Sequence, residues 1–110
     1  MEQNRNDIFW QLLDYYFYYG HENLYEDHTQ EQYEIHCIEK FPLLKYLNVF
    51  NNYKGLLIEI YNYANKEQLK HVDWTIQSVF GKLDQQQHTE KNNELHKYYL
   101  KNRPKKLNHM

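Results

Sequence analysis

Apolar positions fall into helical register near the start of the chain. At about 100° per residue, Phe9, Leu12, Leu13, Tyr16 and Tyr19 gather on one side of a helix, and Asp7, Gln11, Asp14 and Tyr18 form the opposite stripe with Tyr15 on its flank. Asn6 can cap this helix, Asp7 suits the positive end of its dipole, and Gly20 supplies a stop. The pattern therefore predicts a dry face and a wet one. Asp14, Tyr15 and Tyr18 belong to the wet one.

The stretch HENLYEDHTQ reads as a polar loop, after which Thr29 and Gln32 match a capping box and Pro42 ends a second helix. Tyr33, Cys37 and Phe41 keep helical spacing there, but Ile35 falls off their face. Residues 43–64 are ambiguous. Leu43, Leu47, Phe50, Leu57, Ile60 and Ala64 fit a helix interrupted near Gly55, yet NNYKG between two apolar runs also fits a hairpin turn. Next, Asn65 and Gln68 form a capping pair ahead of a stripe of Leu69, Val72, Ile76, Val79, Phe80 and Leu83. Trp74 projects away from that stripe, among Glu67, Lys70, His71 and Ser78, so the projection predicts an exposed indole. On that reading Trp74→Ala costs less stability than Ile76→Ala. LDQQQHTE reads as a linker, Thr89 as the cap of a last helix carrying Leu95, Tyr98 and Tyr99, and Pro104 as its block. The expected fold is mainly α: a small single-domain bundle of four to five helices over residues 1–102, then a flexible basic tail, 103–110. An α+β fold with a hairpin around residues 44–63 is the alternative.

Composition supports one folded core. Leu, Ile, Val and Phe supply 27 of 110 residues, above the level of disordered chains, and twelve tyrosines add ring area. Cys37 is the single cysteine, which rules out an internal disulfide and a four-cysteine zinc site and favours a reducing compartment. There is no basic leader with an apolar core, and no run approaches the roughly 18 apolar residues that span a bilayer. A cytoplasmic protein without membrane contact is expected.

Charge is split along the chain. Residues 1–39 carry nine carboxylates against Arg5 alone, a net −8, whereas residues 40–110 carry six carboxylates against twelve cations, a net +6. Such a split bears on steering and partners rather than on fold.

The chemistry of sites is thin by comparison. His21, His28, His36, Glu22, Asp27 and Cys37 offer zinc-type atoms but no ligand spacing of the C-x₂-C or H-x₃-H kind, so no metal or cofactor is expected. Cys37 beside His36 points away from it on a helix or strand and reads as a buried thiol. The three glycines are isolated and build no phosphate loop. Arg103 and His109, with five residues between them, resemble the R-x₄₋₆-H motif of HEPN-type ribonucleases, a family of helical RNA-cleaving or RNA-binding proteins. The resemblance covers seven residues and implies a helix in a dimer cleft; Pro104 departs from that pattern, and no catalytic residue is assigned on it.

What the sequence offers best is a recognition surface. Tyrosine and tryptophan anchor interfaces, and carboxylates around them attract a basic partner and speed encounter. Asp14, Tyr15, Tyr18, Glu22, Tyr25, Glu26, Asp27, Glu31 and Glu34, joined by Trp74, are the expected partner-binding residues. The expected function is binding rather than catalysis: capture of a basic protein, such as a nuclease toxin held by an immunity protein or antitoxin. The rival expectation gives the basic C-terminal helix and tail, with Tyr98 and Tyr99 interleaved among lysines, to RNA or DNA. The sequence leaves the oligomeric state open. Pairing of an acidic pole with the basic pole of a second copy is one arrangement it allows.

Overall fold

The computed structural model describes residues 2–19 and 30–104. In chain order these form α1 (Glu2–Tyr19), α2 (Gln30–Lys40), a 3₁₀ turn (Pro42–Leu44), α3 (Tyr53–Tyr63), α4 (Lys66–Val72), α5 (Trp74–Val79) and α6 (Gln85–Asn102). The fold is all-α, with no strand among the described residues, so the hairpin alternative is not supported.

α1 is the central helix. Phe9, Leu12 and Leu13 are fully buried, Trp10, Tyr15 and Tyr16 nearly so, and Gln11 and Asp14 are buried with them. Neighbours lie on several sides. α3 and the 3₁₀ turn pack on α1 directly, while α6 reaches it through Trp10 stacked on Tyr98, Phe17 against Tyr99, and the Tyr16 hydroxyl donating to Asn92 Oδ1 at 2.5 Å. A helix enclosed in this way cannot keep the single wet stripe its sequence suggests. Its polar residues are instead turned inward and partly satisfied there: Gln11 Oε1 accepts from the Leu43 amide at 3.2 Å, while Gln11 Nε2 is buried without a partner among the described residues. α1 also starts earlier than Asn6: Arg5 donates to the Asn62 carbonyl and lies over the Tyr63 ring, and Asn6 Oδ1 accepts from Gln68 Nε2 instead of capping.

The ambiguous middle resolves as a 3₁₀ turn, a chain of tight turns and α3. Asn51 takes the left-handed conformation (φ 55°) that asparagine tolerates, and the Asn52 side chain accepts from the Gly55 amide to cap α3. Gly55 is needed for a different reason, because a Cβ there would collide with the Asn48 carbonyl and the Asn52 side chain. NNYKG is thus a helix start, not a hairpin.

The capping box at Asn65 and Gln68 is present, with both reciprocal bonds at 2.8 Å. The helix it opens does not run on to Leu83. It breaks at Asp73, where the Trp74 indole N–H donates to the His71 carbonyl (3.0 Å) and the Thr75 hydroxyl to the Val72 carbonyl (2.7 Å), closing the carbonyls at the end of α4. This break accounts for the extra helix beyond the expected four to five. α5 then ends at Val79 in a left-handed Gly81 (φ 72°), with the Lys82 amide bonding the Gln77 carbonyl and the Gly81 amide the Ser78 carbonyl. That turn throws Phe80 outward, so it does not join the apolar stripe. The expected linker LDQQQHTE is mostly helix. Asp84 and Gln87 form a second capping box that starts α6 five residues before Thr89.

Candidate functional site

The structure divides the expected partner-binding residues into three groups. Asp14, Tyr15 and Trp74 are corrected outright, being 4%, 5% and 3% exposed. Asp14 accepts from the Tyr99 hydroxyl at 2.5 Å and pairs with the Arg103 guanidinium at 3.3 Å. The Tyr15 hydroxyl lies 2.6 Å from that of Tyr33 and accepts from the Asn51 amide at 3.0 Å. Trp74 packs edge-on against His88 of α6. Each projection fails for one reason: it assumes one buried face, whereas α1 and α5 have neighbours on more than one side. Glu22, Tyr25, Glu26, Asp27 and the Tyr18 side chain lie outside the described residues. Glu31 and Glu34 are exposed on α2.

α2 is the informative element. Its inner stripe is Tyr33 and Cys37, both buried. Directly opposite, at the helical spacing i, i+3, i+4, i+7 and i+8, stand Glu31, Glu34, Ile35, Ile38 and Glu39. All five are exposed; Ile35 and Ile38 are 51% and 36% exposed although both are β-branched apolar side chains. The helix is therefore double-faced. One face fastens it to the core, and the other shows two isoleucines framed by three carboxylates. Core periodicity alone does not single out Ile35, Ile38 and Glu39, although the misfit of Ile35 is the available signal.

The anchoring of α2 is chemically quiet. Burial pushes the Cys37 thiol above its ordinary value, although the bond from Tyr33 works against this, so the sulfur stays protonated and unreactive. Burial, followed by the hydrogen bond to Tyr15, likewise raises the Tyr33 phenol far above its ordinary value. Tyr16 and Tyr99 are raised by burial first and by their bonds to Tyr53 and Asp14 second. The folded chain holds these protons where an unfolded chain releases them, so stability is present below about pH 10 and falls as pH rises beyond it. Denaturation midpoints should decline from about pH 10 upward. A flat or rising profile would contradict the buried tyrosine hydroxyls.

The opposite charge sits at the end of α6. Lys97 and Lys101 are exposed there with Leu100, and no carboxylate occurs from Leu95 to Pro104. α6 stops at Asn102 because Arg103 takes the extended conformation (ψ 138°) imposed on the residue before a proline. The Arg103 guanidinium lies over the Tyr99 ring as well as against Asp14. Arg103 is thus engaged with the core, and His109 lies outside the described residues. No group of three metal-ligating side chains comes together among the described residues, and no described helix is long and apolar enough to cross a membrane. No protein-family model matches the chain, and neither a curated protein nor a solved structure matches it.

Proposed function

We propose that this chain is a binding protein that captures a basic protein partner through the outer face of α2, as an immunity protein or antitoxin covers a nuclease toxin. The observation that carries the reading is the exposed Ile35 and Ile38 set among Glu31, Glu34 and Glu39, on the side of α2 turned away from Tyr33 and Cys37. Two β-branched side chains left in water gain by burial against a partner, at about 25 cal/mol per Å² of apolar surface removed. The carboxylates around them select for a partner whose apolar patch is rimmed by lysine or arginine, and they accelerate its approach. A toxin's phosphate-binding surface has that chemistry. Glu22, Tyr25, Glu26 and Asp27 precede α2 directly in the chain and extend the same composition.

The isoleucines and carboxylates have separable roles. Ile35→Ala and Ile38→Ala should each raise the dissociation rate, by about 1–2 kcal/mol in affinity, with the association rate nearly unchanged. Folding stability should shift by no more than about 0.5 kcal/mol, because neither side chain belongs to the core. Surface-plasmon kinetics with a basic partner isolated on the immobilised chain, together with urea denaturation of each variant, provides the test. Unchanged dissociation in both variants would remove α2 as the docking element.

A further inference from the structure

The acidic face of α2 has a counterpart on the same chain. Over its last two turns α6 presents Leu100, 59% exposed, with Lys97 one turn before it and Lys101 beside it. Arg103 is drawn inward to Asp14 and Tyr99, so the outward charge of this ridge comes from the two lysines. The nearest carboxylate on the same helix is Glu94, three residues before Lys97, followed toward the N-terminus by Glu90. The two faces are complementary in both respects: isoleucines among carboxylates on α2, a leucine among lysines on α6. They do not satisfy each other within one copy, since both are exposed there.

We infer that, before a partner arrives, the outer face of α2 is covered by the last two turns of α6 from a second copy of this chain. This rests on the α2 face being an interaction surface and adds what occupies it in the free protein. In a two-fold arrangement each copy offers both faces, so the same contact forms twice and closes. Ile35, Ile38 and Leu100 then leave water together, while Glu31 and Glu39 meet Lys97 and Lys101. Release of this contact would accompany capture of the partner, because both draw on the same carboxylates.

Sedimentation velocity of the full chain, over a range of concentration at low and high salt, tests the inference. The expected result is a concentration-dependent dimer that salt weakens. Glu31→Lys/Glu39→Lys and Lys97→Glu/Lys101→Glu should each sediment as monomers under conditions where the unaltered chain is dimeric. Circular dichroism should show both variants folded, since all four positions are exposed. An equimolar mixture of the two variants should dimerise again, because each contact then pairs opposite charges. The inference is overturned by a monomeric unaltered chain at every concentration, by a dimer that survives in either variant, or by a mixture that stays monomeric. Partner kinetics keeps the two proposals apart. Lys97→Glu/Lys101→Glu should capture the basic partner at least as fast as the unaltered chain. If the dimer behaves as stated but Glu31→Lys/Glu39→Lys leaves partner capture intact, the binding proposal fails alone. If no dimer forms but that variant slows capture, this inference fails alone.

Discussion

Trp74→Ala is expected to lower the free energy of unfolding by about 3–5 kcal/mol. Ile76→Ala should cost less, the reverse of the order expected from the helical projection. The indole is 3% exposed, whereas Ile76 is only partly buried. Trp74 also does more than fill space. Its N–H closes the His71 carbonyl at the end of α4, and its ring meets His88 at a centroid separation of 5.3 Å, tying the α4–α5 junction to α6. Truncation therefore leaves a cavity between helices and removes a cap at the same place. Urea denaturation with an unchanged m-value would show the loss as a pure shift of midpoint. A Trp74→Ala variant as stable as Ile76→Ala would mean that the indole lies outside the core after all.

The second large effect is expected at Asp14, where Asp14→Ala should cost about 2–4 kcal/mol. Its carboxylate accepts from the buried Tyr99 hydroxyl and faces Arg103. Without it that hydroxyl is left in the core without its acceptor, a loss of about 1–3 kcal/mol, and the charge-assisted character of the bond is lost as well. The Arg103 side chain is 42% exposed and can turn its charge to water, which keeps the total below that of breaking a fully enclosed pair. A double-mutant cycle of Asp14→Ala with Tyr99→Phe should show a coupling of more than about 0.5 kcal/mol. Strictly additive losses would mean that the carboxylate and the phenol do not act together.

These two residues also show where the sequence is readable. Phe9, Leu12, Leu13 and Tyr16 are recognisable as core from spacing alone, and Asn65 with Gln68 announces the start of α4 in its capping residues. Local chemistry of that kind is written within four residues. Asp14, Tyr15 and Trp74 are misplaced by periodicity because their burial depends on neighbours far along the chain: Tyr99 and Arg103 for Asp14, Tyr33 and Asn51 for Tyr15, His88 for Trp74. No periodicity reveals that a helix is enclosed on several sides. Asp84 and Gln87 are legible as a capping box, and choosing Thr89 over them makes α6 too short. The surface is legible in part. Glu31 and Glu34 fall in water as expected, but core periodicity alone treats the isoleucines that follow them on the same face as a flaw in the pattern. On α2 the apolar residues that fall off the core stripe, Ile35 and Ile38, are shown to solvent, whereas Trp74, off its own stripe, is buried.

Whether the acidic outer face of α2 is the working surface can be decided by one rate: association with a basic partner isolated on the immobilised chain, measured by surface plasmon resonance over a series of salt concentrations. Glu31→Lys/Glu39→Lys should slow association by about tenfold or more at low salt and flatten its salt dependence, because charges at the rim of an interface steer encounter. Lys97→Glu/Lys101→Glu should leave that rate undiminished. The opposite outcome, in which reversing the α2 carboxylates leaves association intact while reversing the α6 lysines abolishes it, would make the basic end of α6 the working surface and remove α2 from that role.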